Sequence, residues 1–239
     1  MQLCIDAGNS KIKYALFDKR KLINKIVSDD FELEILTSIF SEFKPGSAII
    51  SSVRKIPAKW LSKLKKNTKT IILSDRIVIP VSLDYKTPET LGTDRIAVAV
   101  AAFSLFPDQH NLIINAGTCI TFDLVTKKGV YKGGAIAPGI EMRYKAMHEF
   151  TSKLPYVTNR KPVRITGKST EESLNSGVLN NVCFEIEGAI DFYSSHYKKL
   201  NVLLTGGDSS FLAKRLKNSI FAAPDLVLTG LNEILIYNA

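Results

Sequence analysis

The sequence predicts an α/β protein made of two similar halves, and three observations carry that prediction. Leu3-Cys4-Ile5-Asp6-Ala7-Gly8-Asn9-Ser10-Lys11-Ile12-Lys13 runs from apolar β-formers into a carboxylate, then Ala-Gly, then small polar residues, then a second β-like run. The pattern returns in altered form as Ile113-Ile114-Asn115-Ala116-Gly117-Thr118-Cys119-Ile120-Thr121. Around these two hairpins, β-like runs alternate with stretches of helical period, an alternation that lays helices against a sheet.

In order, the first half reads as the opening strand, its hairpin partner from Lys13 to Phe17 and a third strand from Leu22 to Val27. A helix over about 31–43 follows, then Ala48-Ile49-Ile50-Ser51-Ser52-Val53, whose apolar run fits a buried strand. Lys55 to Lys69 sets Trp60, Leu61 and Leu64 at helical spacing among lysines, which reads as an amphipathic helix with a solvated basic face. Thr70 to Leu73 is a short strand. Thr93 is placed to cap a helix that starts at Asp94 and continues through Ile96-Ala97-Val98-Ala99-Val100-Ala101-Ala102, small and apolar enough to be buried. The chain turns between Pro107 and Asn111, and the halves divide there, into 1–110 and 111–239.

The second half starts with Leu112 to Asn115 and repeats the hairpin. Val130 to Lys132 is a third strand, Gly133 to Gly139 a glycine-rich loop and Ile140 to Phe150 a helix. Ser169-Thr170-Glu171-Glu172 is a capping box that opens a long helix with Leu174, Val178, Val182, Ile186 and Ala189 on one face. Val202-Leu203-Leu204-Thr205-Gly206-Gly207-Asp208 is a strand ending in a Gly pair before another helix. Thr166-Gly167-Lys168-Ser169-Thr170 imitates the end of a P-loop, but Pro162 stands where that motif needs a glycine and no strand leads into it.

A chain of 239 residues, 45% hydrophobic, can bury a substantial core. No apolar run reaches the length of a membrane span, and the N-terminus opens on a strand, so the expectation is a cytoplasmic protein without membrane contact. Cys4, Cys119 and Cys183 show no Cys-x-x-Cys spacing and read as buried free thiols, while His110, His148 and His196 lack zinc-ligand spacing. The formal charge of +9 favours anionic partners, either nucleic acid or a nucleotide with an acidic small substrate. With the lysines of the basic helix read as a solvated face and no helix-turn-helix with a basic recognition helix in view, nucleic acid is not expected.

Taken by themselves, the two glycine hairpins are either ordinary turns or cradles for phosphate, since a glycine there lets backbone N–H groups approach an anion. Asp6, at the end of the first strand with no cation next to it in sequence, can hold Mg²⁺ through water beside such phosphates. Asp94, in the first turn of a helix, either complements the helix dipole or serves as a base.

Four motifs, in this order, carry a resemblance: Asp6-Ala7-Gly8-Asn9-Ser10-Lys11-Ile12-Lys13, Leu91-Gly92-Thr93-Asp94-Arg95, Asn115-Ala116-Gly117-Thr118 and Gly133-Gly134-Ala135-Ile136-Ala137-Pro138-Gly139. Together they resemble the type III pantothenate kinases, relatives of acetate kinase, sugar kinases, Hsp70 and actin, over nearly the whole chain. The resemblance implies two ribonuclease H-like domains of the actin-like ATPase superfamily with a cleft between them. It also implies ATP-dependent phosphorylation of pantothenate to 4'-phosphopantothenate, the first step of coenzyme A biosynthesis, by a homodimer whose substrate pocket lies near the subunit interface.

Residue by residue, the resemblance implies ATP binding by Asp6, Ala7, Gly8, Asn9, Ser10, Lys11, Ile12, Lys13 and Thr118, with Mg²⁺ held by Asp6. Gly206-Gly207 falls where the superfamily packs adenosine. Asp94 takes the part of the catalytic base, and Tyr85, Gly92, Thr93, Asp94, Arg95 and Thr170 match positions that face pantothenate. For Thr170 a helix-start role is the equal alternative, and the alternation Lys11-Ile12-Lys13 also fits a plain exposed strand face. One position departs from the pattern: the family usually has Asp where this chain has Asn115, and that Asp ligates a monovalent cation, K⁺ or NH₄⁺. An amide oxygen offers a dipole in place of a full charge, so that cation is weakened or absent here. The competing readings are another small-molecule kinase of the superfamily and a non-catalytic transcriptional accessory relative; intact Asp6, Asp94 and Thr118 favour catalysis over the latter.

Overall fold

The computed structural model describes residues 1–74, 76–161 and 164–239; Pro162, which argues above against a P-loop, lies outside the described residues. The chain forms two compact units, one from Met1–Asp108, Val125–Gly133 and Asp225–Ala239, the other from Gln109–Leu124 and Gly134–Pro224.

The first unit opens with β1 (Gln2–Ala7), β2 (Ile12–Asp18), β3 (Lys21–Ser28), α1 (Leu33–Glu42), β4 (Ser47–Ser52), α2 (Ala58–Asn67) and β5 (Lys69–Ile72). The strands lie in the order β3-β2-β1-β4-β5. β1 is antiparallel to β2 and parallel to β4, and β4 is parallel to β5. Period-two alternation along β1 divides its side chains between two faces. Leu3, Ile5 and Ala7 join Leu36, Ile39, Trp60 and Leu64 of α1 and α2 in one core cluster. Cys4, between them, points to the other face, where its Sγ lies 3.9 Å from Asn232 Oδ1.

That other face is covered by α3 (Thr93–Leu105) and the C-terminal α8 (Leu226–Tyr237). Ile96 through Ala102 are all buried, as their small apolar sequence predicts. The two helices approach so closely that a Cβ added at Gly230 would sit 1.8 Å from the Ala97 carbonyl oxygen. Polar contacts fasten α8 to the β2–β3 edge. Asn232 Nδ2 donates to the Lys19 carbonyl at 2.7 Å, and Arg20 grips Glu233 through two N–H groups at 2.7 and 2.9 Å.

The second unit is built around β7 (His110–Ala116), β8 (Cys119–Val125), β9 (Val130–Pro138), β10 (Leu200–Thr205) and β11 (Phe221–Ala222), in the order β9-β8-β7-β10-β11. This repeats the first sheet strand for strand: a hairpin pair, a third strand outside it, and two parallel strands on the other side of the first. Its core joins Leu112, Ile114, Phe122 and Leu204 of the sheet to Tyr144 of α4 (Ile140–Glu149), Leu174 of α5 (Thr170–Asn175) and Val182, Ile186 and Ile190 of α6 (Asn181–His196). Within the first unit, the short β6 (Ser82–Leu83) pairs in parallel with the start of β9 at Val130 and Tyr131.

Four sequence expectations need adjusting. Thr93 is the first residue of α3, and Gly92 is its cap. The glycine-rich segment from Gly133 is no loop, because β9 continues to Pro138; ladder pairing outweighs the local preference of glycine for turns. The long helix is interrupted by a π turn, Ser176–Asn180, between α5 and α6. Cys119 is partly exposed, whereas Cys4 and Cys183 are buried. Half of the capping box forms as read, with Ser169 Oγ accepting from the Glu172 N–H at 3.2 Å, while the Glu172 carboxylate accepts from the Lys168 N–H at 2.7 Å, one residue before the box requires. The basic helix likewise appears as α2, with Trp60 and Leu64 inside.

The α3–α8 contact gives a direct stability test. Gly230→Ala forces a methyl group into the Ala97 carbonyl, so denaturant unfolding should show a loss of about 3 kcal/mol. A loss no larger than that of Gly207→Ala, where the added Cβ meets nothing within 4 Å, would contradict this packing.

Candidate active site

In the first unit the candidate residues gather at the carboxyl ends of the parallel strands β1 and β4, the edge at which open α/β sheets place ligands. The β1–β2 turn is closed by a hydrogen bond from the Gly8 N–H to the Lys11 carbonyl at 3.1 Å. Asn9, Ser10 and Lys11 are exposed around it, while Ala7 and Ile12 are buried and anchor its two ends. Lys11 pairs with Asp29 on the surface, so its charge has a partner in this arrangement.

Asp6 lies opposite Lys13 in the β1–β2 register and beside Ser51 in the β1–β4 register. Ser51 and Thr93 share a hydrogen bond of 2.8 Å between their hydroxyls, which seats the first turn of α3 on the strand ends. Asp94 follows in that turn. Gly92 is required by close approach, since a Cβ there would come 2.6 Å from Asp94 Oδ1. Ser51 carries no motif signal and was not found by sequence reasoning; only the register places it next to Asp6.

Burial pushes the Asp6 carboxyl up to about 6, against the pull of Lys13 and with a further push from Asp94. A desolvated carboxylate with a second carboxylate near enough to oppose its ionisation is a place that a divalent cation would relieve. Asp6 therefore fits the Mg²⁺ role on its own electrostatics. Among the described residues no group of three or more His, Cys, Asp or Glu is assembled for a metal.

Behind Asp94, Arg95 is buried with its guanidinium carbon 5.9 Å from the Tyr131 ring centroid, and Tyr131 lies 6.0 Å from Tyr85. Tyr85 packs on Gly133, whose φ of +80° and missing side chain allow the ring to approach. Tyr85 and Arg95 are thus brought into one layer through Tyr131, a residue the motifs did not single out.

In the second unit, Gly117-Thr118 makes the two-residue turn from β7 to β8, with Thr118 exposed. The Gly139 N–H donates to the Thr118 carbonyl at 3.1 Å, and a Cβ on Gly139 would clash at 2.3 Å with the Gly117 carbonyl. The start of α4 is therefore locked against the hairpin turn. Gly206, at φ +95°, is held as closely on Ala116, with 2.2 Å from its absent Cβ to the carbonyl oxygen. Asn115 stands at the end of β7, partly exposed, opposite Thr205. Asp123 is fully buried on β8 and accepts from Thr121 Oγ1 at 2.7 Å, another polar group the motif reading passed over. Thr170 is exposed at the start of α5 and is relieved of capping by Ser169.

The sequence model of the type III pantothenate kinase family matches residues 2–191. A type III pantothenate kinase of Cytophaga hutchinsonii is 46% identical over 238 residues, covering 100% of both chains. One from Christiangramia forsetii is 44% identical over 242 residues, covering 100% of this chain and 99% of that one. The chain belongs to the type III pantothenate kinase family. Among solved structures, a Campylobacter jejuni protein titled as a Baf family transcriptional activator aligns with TM-score 0.63 at 24% identity, over 99% of this chain and 98% of that one. A ROK family glucokinase from Streptomyces griseus aligns with TM-score 0.55 at 10% identity, over 99% of each chain. These two likenesses establish the actin-like, sugar-kinase fold.

The position of Asp6 sets a pH-dependent stability. Its folded value lies above the ordinary 3.8, so the ionised form opposes folding: the penalty is absent below pH about 4 and complete above about 6. Asp6→Asn should raise the Tm at pH 7.5 by on the order of 5 °C in a metal-free thermal melt, and the gain should shrink away by pH 4. An equal shift at both pH values would contradict the assignment.

Proposed function

We propose that this family member transfers the γ-phosphoryl group of ATP to the terminal hydroxyl of pantothenate, yielding 4'-phosphopantothenate and ADP, with Asp94 as general base. The observation that carries the reading is Asp94 itself, fixed at the head of α3 within the field of Asp6, in a chain that shares 46% of its residues with a type III pantothenate kinase.

Phosphoryl transfer asks the protein mainly for positioning and charge neutralisation. Asp94 takes the hydroxyl proton as that oxygen bonds to the γ-phosphorus. The bond from the γ-phosphorus to the β,γ-bridging oxygen breaks, and its electron pair leaves with ADP. The exposed Asn9 and Ser10 of the turn that Gly8 closes in the first hairpin, with Lys11 and Lys13, are assigned to phosphate, as is Thr118 of the second hairpin. Asp6 would hold Mg²⁺, which would supply positive charge to neutralise the transferring phosphate. Tyr85, Gly92, Thr93, Arg95 and Thr170 are assigned to pantothenate, and among them Arg95 alone carries a positive charge suited to the substrate carboxylate. We place the enzyme in the cytoplasm as a homodimer, on the family resemblance; no described helix is long and apolar enough to cross a membrane.

Two outcomes test this reading. Asp94→Asn keeps the shape of the side chain and removes the proton acceptor, so steady-state kinetics should show kcat falling about 10²- to 10⁴-fold with the melting profile intact. Turnover near that of the unmodified enzyme would sink the assignment. Asn115 bears on the monovalent cation. Its amide leaves K⁺ weakly held, so activity should rise with KCl into the high range at constant ionic strength, and Asn115→Asp should shift that titration to lower K⁺. No shift would show that residue 115 does not control the cation.

A further inference from the structure

Nearly all of the chain's net charge lies in one stretch. Residues 43–74 hold seven lysines and one arginine and no Asp or Glu, while the whole chain has a net charge of +9. In sequence the lysines of this stretch read as a solvated helix face; the structure adds where they stand and what they meet.

α2 turns Trp60 and Leu64 into the core of the first unit, so its charged positions face outward. At about 100° per residue, Lys59 and Lys66 run along the outer line of the helix, and Lys63 and Lys65 fall on opposite flanks. Lys69 follows at the start of the edge strand β5, where its N–H donates to the Gly46 carbonyl at 3.3 Å and sets the turn of Lys44 beside it. Lys44, Lys55, Lys59, Lys65, Lys66 and Lys69 are all exposed. Among the described residues none of them makes an ion pair. Like charges four apart, here Lys59 and Lys63, destabilise a helix, and α2 has no acid of its own to offset them.

Such a face attracts a polyanion, and its chemistry narrows the choice. Protein interfaces are anchored by apolar or aromatic side chains, and no exposed large apolar side chain lies between Val53 and Ile72. Insertion into a lipid surface needs an apolar face turned outward, and that of α2 is turned inward. Single-stranded nucleic acid asks for exposed rings on which bases stack, yet the one ring of α2, Trp60, is 1% exposed. The phosphate backbone of a duplex asks for cations alone. B-form DNA has a major groove wide enough for an α-helix, with phosphates on both rims to meet lysines on both flanks, whereas the major groove of A-form RNA is too narrow. The lack of a recognition helix excludes the reading of bases, which backbone contacts do not need.

We propose that α2 docks on the phosphate backbone of duplex DNA, without sequence preference. The proposal is independent of the phosphoryl-transfer reading.

Fluorescence anisotropy tests it, with a labelled duplex of about 20 base pairs titrated with the full chain in the absence of nucleotide and pantothenate. Two unrelated sequences should bind within twofold of each other, and log K should fall against log [KCl] with a slope of about −4. Lys59→Gln, Lys65→Gln, Lys66→Gln and Lys69→Gln together should weaken binding more than about tenfold and bring the slope to about −1, with the melting profile and the kinase rate unchanged. Lys198→Gln, Lys199→Gln, Lys214→Gln and Lys217→Gln together remove as much charge from exposed positions before β10 and after α7 (Ser209–Ala213). That control should change binding less than twofold. In the natural protein the bound duplex should also shield Lys59 and Lys66 from acetic anhydride and leave Lys198 and Lys199 open, which gives the same test if the α2 variant does not fold. Equal weakening by both variants would reduce the effect to net charge and overturn the proposal. So would tighter binding to duplex RNA, to single strands or to vesicles of anionic phospholipid, and so would no binding at about 50 mM KCl.

Discussion

The site in the first unit turns on one desolvated carboxylate, Asp6, with Asp94 close enough to oppose its ionisation. The Asp6 position is costly: the carboxyl is desolvated at the end of a buried strand, and Asp94 adds a smaller push against its ionisation. Three local features hold the pair in place. The β1–β4 register sets Ser51 beside Asp6, the Ser51–Thr93 hydrogen bond ties α3 to that strand end, and glycine at position 92 leaves Asp94 room. Removing the Asp6 charge would stabilise the fold, which is the strain expected of a site whose charge is used, as proposed here.

The rest of the first unit supports that placement from behind. α3 can bring its N-terminus to the strand ends because its body is buried, and it is buried because α8 lies against it at glycine distance. The terminal segment, last in sequence, thus returns to the first unit and backs the helix that bears Asp94. The second unit repeats the strand order and the clamped glycine turns, with Gly139 and Gly206 where carbonyl oxygens leave no room for a side chain.

The parts legible in the sequence are those that local chemistry decides. Both hairpins could be read from apolar runs meeting a glycine turn, α2 from the spacing of Trp60 and Leu64, and the start of α5 from Ser169 and Glu172. Features decided by distant partners were not legible. Gly133-Gly134 reads as loop until the ladder carries β9 through it. Nothing local in the apolar run of α8 names α3 and β1 as its partners. Ser51 and Tyr131 are ordinary residues in sequence and acquire meaning only from register or ring packing. Thr93 looks like a cap because threonine often is one, but its hydroxyl is engaged by Ser51 and Gly92 takes the cap position.

The central claim is that these carboxylates serve phosphoryl transfer to pantothenate. The most direct measurement is the initial rate of ATP consumption by the purified chain with pantothenate, compared with glucose, N-acetylmannosamine and acetate, with the product identified by phosphorus NMR. The account predicts a phosphomonoester on the terminal hydroxyl of pantothenate and a kcat/KM at least about 10²-fold above that of any other acceptor. A sugar or acetate turned over in preference, or no acceptor-dependent turnover at all, would contradict it.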